Sequence, residues 1–308
     1  MRILGFFLVA VVALASHAWA GEWKSLDGKE PETLSSPQSS SGGKRSTKPH
    51  RPMGGSVADP DTALALMAEK YKNAVGVVVL VGNDGPQPIA TAWAISPSWF
   101  ATNSHVTEGV KKARKLGWDV FIALNRSPDK RYRVVKAVSH PRYNETKRNF
   151  DGKSSIGGFD VGLLKIEGKA PKHFPLAAAN ELKKIASGYR IAYLGFPTEN
   201  LAGGNIDIHS PLATMQSGII TTISDYWLGE GGFEKNFLLR HNLGATGGAS
   251  GSPLFNTKGE VVGILDGGNA VKVLIVNDKG KPIGIKRASD AVMINTAQRV
   301  DLLKDILP

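Results

Sequence analysis

The chain has 308 residues and no cysteine, and its 38 Lys or Arg against 27 Asp or Glu give a formal net charge of +11. Without cysteine it cannot be a disulfide-stapled scaffold, so its stability must come from a packed core, which its length readily allows. The positive balance bears on contacts with polyanions rather than on fold.

Taken in chain order, the first element is an export signal: Arg2, the apolar stretch Ile3 to Ala15, and Ala18-Trp19-Ala20 as an A-x-A cleavage site. The stretch is too short for a permanent membrane helix. Cleavage after Ala20 is therefore expected to leave no transmembrane anchor, and the expected location is periplasmic or secreted. From Gly21 to about Val57 the chain is rich in Ser, Gly, Pro and Lys and poor in apolar residues. Such a composition cannot offset the entropy of ordering and reads as a disordered linker. The run Gly42-Gly43-Lys44-Arg45, with Lys48 and Arg51, reads first as a solvated tail and second as a site of weak polyanion contact.

Order is expected from Asp59-Pro60-Asp61, where Asp59 suits an N-cap and Pro60 the first helical position, with Leu64, Met67 and Tyr71 at helical spacing. Strand-like runs follow at Ala74 to Val81, Ile89 to Ile95, Trp99 to Thr102, Val120 to Leu124, Arg131 to Val138 and Val161 to Ile166. A solvated helical turn carries Lys111-Lys112-Ala113-Arg114-Lys115. The second half continues with Arg190 to Gly195, Met215 to Ile223, Phe237 to His241, Pro253 to Phe255, Val261 to Leu265 and a hairpin from Lys272 to Ile285. Many short strands with turn residues between them indicate an all-β barrel or sandwich. The final segment, Thr296 to Leu307, carries Val300, Leu303 and Leu307 at helical spacing.

Three fragments carry chemistry. Ala101-Thr102-Asn103-Ser104-His105-Val106 sets a histidine after an apolar stretch, Phe159-Asp160-Val161-Gly162-Leu163-Leu164 sets an aspartate before a strand, and Gly247-Gly248-Ala249-Ser250-Gly251-Ser252-Pro253 flanks a serine with glycines. A serine hydroxyl is a weak nucleophile until a base takes its proton and a third group fixes the tautomer of that base. His105 suits the base and Asp160 the orienting acid. Asp119 also precedes an apolar run and is the next candidate acid, ahead of Asp129 and Asp151. The glycines would let the loop turn the N–H groups of Gly248 and Ser250 toward one point, an oxyanion hole. His50, His140, His173, His209 and His241 have no comparable context.

In these motifs and in their order, His105, Asp160, Ser250, the chain resembles the trypsin-like (chymotrypsin-fold) serine peptidases. The likeness is greatest to their bacterial branch, which includes the high-temperature-requirement proteases and the glutamyl endopeptidases. The resemblance runs from about Leu66 to the C-terminus and is most specific from Thr246 to Gly268. It implies two six-stranded antiparallel β-barrels with the site in the cleft between them and a C-terminal helix, making 58–308 a peptidase domain. About forty residues follow Gly268, too few for an appended peptide-binding domain of the PDZ type, which takes roughly 100.

The resemblance also implies a substrate pocket from Gly244, Ala245, Thr246, Leu265, Asp266 and Gly267. No acid stands at Gly244 to receive Lys or Arg, and Leu265 stands where glutamyl endopeptidases carry a histidine. A small or aliphatic residue before the cleaved bond is the expectation. Ala249 replaces the acid that pairs with a newly cut N-terminus in digestive relatives. Asp266 occupies a place often held by serine, where an inward carboxylate would face Asp160 and one of the two would have its pKa raised. The function implied is a serine endopeptidase acting on protein or peptide substrates without metal or organic cofactor. A protease-fold binding protein with a misaligned triad and an esterase-like hydrolase are the two rival readings.

Overall fold

The computed structural model describes residues 59–143, 145, 158–197, 206–267, 271–276, 282–288 and 294–308. The expected export signal and linker, together with Asp151 and Gly268, lie outside them. Helix α1 (Pro60–Tyr71) begins where Asp59 accepts the N–H of Thr62 at 3.2 Å, with proline in its first turn. Its buried face carries Leu64 and Tyr71, and the Tyr71 ring stacks on Phe174 at 4.5 Å.

Six strands then close a first antiparallel barrel: β1 (Val75–Gly82), β2 (Gly85–Ser96), β3 (Trp99–Thr102), β4 (Asp119–Leu124), β5 (Arg131–Ser139) and β6 (Gly162–Ile166), in the order β1-β2-β3-β6-β5-β4. Helix α2 (Ser104–Lys115) leaves the end of β3, burying Val106, Val110 and Ala113 and carrying Lys112, Arg114 and Lys115 in its last turn. The run Val75 to Val79 does not alternate in polarity because both faces of β1 are covered. Val78 belongs to the same core cluster as Phe100 and Ile122, whereas Val75, Val77 and Val79 belong to a second cluster that continues through Tyr193, Leu254 and Leu265.

After a single-turn helix α3 (Ala179–Leu182), the second barrel uses β7 (Arg190–Gly195), β8 (Thr214–Ser224), β9 (Leu238–His241), β10 (Pro253–Phe255) and β11 (Val261–Gly267). The hairpin of β12 (Val271–Val276) and β13 (Pro282–Ala288) follows, and β14 (Asn295–Arg299) closes the barrel in the order β10-β11-β14-β9-β8-β7. The fold is all-β, two closed six-stranded antiparallel barrels. One boundary differs from the sequence reading: Thr296 to Arg299 are strand, paired with β9 and β11, and the helix is a 3-10 segment confined to Val300–Asp305. All five β14 residues are buried although four are polar, so tertiary hydrogen bonding rather than apolar alternation holds this strand. Among the described residues no helix is long and apolar enough to cross a membrane.

Candidate active site

His105 stands in the first turn of α2, where helix amides lack intrahelical acceptors. Asp160, just before β6, supplies one: its Oδ1 accepts the His105 N–H at 2.8 Å, and its Oδ2 lies 2.6 Å from the ring Nδ1. The helix start is tied to the same segment twice more. Asn103 Nδ2 donates to the Asp160 carbonyl at 2.8 Å, and Ser104 Oγ donates to the Val161 carbonyl at 2.7 Å. Asp160 is buried, while the His105 side chain keeps 40% of its exposure. The other acids are elsewhere: Asp119 pairs with Arg133 at 2.7 Å and Asp129 with His209 at 2.9 Å, all four exposed or nearly so.

Phe159 holds Asp160 from behind in a left-handed conformation, φ 55°, uncommon for a side chain of this size. Aromatic packing sustains it. The Phe159 ring stacks on His140 at 5.2 Å, meets Tyr226 edge-on at 5.1 Å and lies under the Arg142 guanidinium at 4.0 Å.

Ser250 sits between β9 and β10. The Ala249 N–H donates to the Thr246 carbonyl at 3.1 Å, closing a turn whose third residue, Gly248, has φ 85°, a conformation that favours glycine. Gly251 is even more constrained, with φ 87°; a Cβ there would lie 2.2 Å from the Thr91 carbonyl and 2.3 Å from Thr102 Oγ1. That closeness lets the loop dock on the first barrel. Thr91 N–H donates to the Ser250 carbonyl at 2.9 Å, Thr91 Oγ1 donates to the Gly248 carbonyl at 2.9 Å and accepts from Phe196 N–H at 3.0 Å, and Thr102 Oγ1 donates to the Thr91 carbonyl at 2.8 Å. Ser250 is thereby linked through Thr91 to Thr102, three residues before His105. The N–H groups of Gly248 and Ser250 donate to no acceptor among the described residues.

Sequence reasoning did not single out Thr91. Its one signal was a polar residue inside the apolar run Ile89 to Ile95. Thr91→Val keeps the shape but leaves the Gly248 carbonyl and the Phe196 N–H without their buried partner, so unfolding in denaturant is expected to show a loss of about 1–3 kcal/mol.

Around the anticipated pocket, Gly244 is exposed, donating its N–H to Gln216 Oε1 at 2.8 Å and accepting from Tyr193 Oη at 3.1 Å. Ala245 and Leu265 are buried, Thr246 is partly buried, and Gly267 pairs with Thr296. Both oxygens of Asp266 are engaged by β14: Thr296 Oγ1 donates to Oδ1 and Gln298 Nε2 to Oδ2, each at 2.5 Å. Burial, together with the Asp160 carboxylate, outweighs these hydrogen bonds and the nearby imidazole and pushes the Asp266 carboxyl up to about 6. At His105, desolvation disfavours the charged ring, but the charge and hydrogen bond of Asp160, helped by Asp266, leave its pKa raised. Among the described residues no group of three or more His, Asp or Glu side chains is arranged to hold a metal ion.

The model of the trypsin-like peptidase domain matches residues 76–264. The chain is 32% identical over 111 residues to the pro-apoptotic serine protease NMA111 of Coccidioides immitis, a stretch covering 36% of this chain and 10% of that protein. It thus spans about a tenth of the length of this relative. Among solved structures, an HtrA-type protease, AlgW, with a decapeptide is 17% identical with a TM-score of 0.49, covering 79% of this chain and 66% of that one. Rv3671c from M. tuberculosis in its inactive form is 18% identical with a TM-score of 0.47, covering 80% and 92%. A Glu endopeptidase is 14% identical with a TM-score of 0.46, covering 76% and 89%.

Proposed function

Since the chain belongs to the trypsin-like peptidase family, whose model matches residues 76–264, we propose that it cleaves peptide bonds by acyl transfer, with Ser250 as nucleophile, His105 as base and Asp160 as orienting acid. One observation carries this reading. Asp160 grips His105 through both carboxylate oxygens, one on the backbone and one on Nδ1, which turns Nε2 away from the acid and leaves it available to a hydroxyl.

In the first step the Ser250 Oγ–H proton moves to His105 Nε2 as Oγ bonds to the substrate carbonyl carbon. The carbonyl electron pair moves onto oxygen, which the N–H groups of Gly248 and Ser250 stabilise, each such donor being worth about 3 kcal/mol in the transition state. Collapse of the tetrahedral intermediate breaks the C–N bond, and the leaving amine takes the proton from Nε2. Water then repeats the sequence on the acyl-enzyme and restores Ser250. Asp160 orients the ring throughout and does not take its proton. Labelling with a fluorophosphonate and locating the adduct by mass spectrometry tests the assignment: modification of Ser250 supports it, and an unlabelled folded protein refutes it in favour of a binding role. Turnover of simple esters without turnover of peptides would instead make it an esterase.

The preference before the cleaved bond is proposed to be small or aliphatic. Gly244 and Leu265 offer no charge to a substrate side chain, and the Asp266 oxygens are already bonded to Thr296 and Gln298. A charged side chain entering without a partner loses its hydration uncompensated, at several kcal/mol, whereas an aliphatic one gains roughly 1–3 kcal/mol. A peptide-library profile is expected to show cleavage after Ala, Val or Leu well ahead of Glu, Lys or Arg. Dominant cleavage after Glu or after Lys and Arg would overturn the pocket assignment. We also propose that the protein is periplasmic or secreted, which the signal-like run from Arg2 to Ala20 supports, and cell fractionation checks it.

A further inference from the structure

The second barrel contributes a second acid to the site. A continuous chain of hydrogen bonds runs from the backbone beside Asp160 to Asp266. Phe159 N–H donates to Tyr226 Oη at 2.9 Å, Tyr226 O–H donates to Gln298 Oε1 at 2.7 Å, and Gln298 Nε2 donates to Asp266 Oδ2 at 2.5 Å. Thr296 Oγ1 completes the shell at Oδ1, also at 2.5 Å. Each link donates toward Asp266, so the network is built for the carboxylate form. β11 brings the acid, β14 brings Thr296 and Gln298, and the loop after β8 brings Tyr226.

Resting on the acyl-transfer reading, we propose that Asp266 is a positioning residue of this site. Its carboxylate, held by Thr296 and Gln298, adds a second negative charge near Asp160 and stabilises the imidazolium that forms at His105. The groups facing it with charge or the capacity to titrate are Asp160 before β6, His105 on α2 and Tyr226 after β8, with Arg142 beyond Phe159. Asp160 holds the ring; Asp266 adds charge without touching it. Because burial and Asp160 push the Asp266 carboxyl up to about 6, this second charge is present at neutral pH and absent in acid. On this reading Asp266 gains its charge at a lower pH than that at which His105, whose pKa is raised, loses its proton.

The test compares wild type with Asp266→Asn, which matches the shape and can still bond Thr296 and Gln298 after the hydroxyl turns. In protein carrying ¹³Cε1-histidine, the His105 midpoint is expected to fall by about half a pH unit or more, because the lost negative charge favoured the protonated ring. The rate of fluorophosphonate labelling is expected to drop roughly three- to tenfold at pH 8, with the deficit disappearing below about pH 5, where wild-type Asp266 is itself protonated. An unchanged His105 midpoint, or a labelling deficit equal at every pH, overturns the proposal and leaves Asp266 a structural residue. Absence of labelling in both proteins sinks the Ser250 reading instead, while the histidine titration still decides Asp266. If Asp266→Asn does not fold, ¹³Cγ-aspartate in the wild type decides: a carboxyl titrating near 6 in step with a shift at His105 supports the proposal, and titration of every carboxyl in the ordinary range overturns it.

Discussion

Ser250→Ala is expected to abolish fluorophosphonate labelling and to lower peptide turnover by about six orders of magnitude, while the thermal unfolding curve stays near that of the wild type. The magnitude reflects a nucleophile without a substitute. With the hydroxyl gone no acyl-enzyme forms, and only binding and the oxyanion donors act on the attack of water. Folding is expected to be spared because the Ser250 interaction that anchors the loop is made by its backbone carbonyl, accepting from Thr91, and alanine keeps it. Retained cleavage in a preparation free of contaminating peptidase would remove Ser250 from the mechanism.

Asp160→Asn is expected to lower turnover by about four orders of magnitude. Asp160 serves the His105 backbone with one oxygen and the ring with the other. An asparagine has a single oxygen. If that oxygen takes the backbone N–H, the amide NH2 faces Nδ1 and donates to it, which forces the ring proton onto Nε2, where it blocks acceptance from Ser250. If the amide flips, its NH2 opposes the His105 N–H instead. The matched change Asp119→Asn, at an exposed side chain paired with exposed Arg133, is expected to leave turnover near wild type. Equal losses at the two positions would mean that the acid had been misassigned.

The strands were legible where an apolar run was bounded by turn residues. That is why β1 to β11 stood within a few residues of their sequence positions, and why Asp59-Pro60 marked the start of α1. β14 was not legible, because Asn295, Thr296, Gln298 and Arg299 are buried polar residues whose partners are far along the chain. Asn295 Nδ2 donates to the Leu243 carbonyl at 2.7 Å, and Arg299 Nη1 donates to the Phe233 carbonyl at 2.6 Å. Read without those partners, the segment looks like the exposed turn of a helix, and the helical spacing of Val300 and Leu303 beyond it reinforces the misreading. In the site, His105, Asp160 and Ser250 each carried a local motif, whereas Thr91, Tyr226 and Gln298 carried none. Their positions come from closure of the barrels, which a local pattern does not encode.

The division of the site between the barrels also sets an order in time. The first barrel is complete with β6, so His105 and Asp160 can be joined once Ile166 has been made. The second barrel lacks its closing strand until Arg299, about 130 residues further along the chain, and only then can β14 present Thr296 and Gln298 to Asp266. On the proposed reading the three residues are therefore brought together only when the last strand docks, because until then only the first barrel, with His105 and Asp160, can be closed.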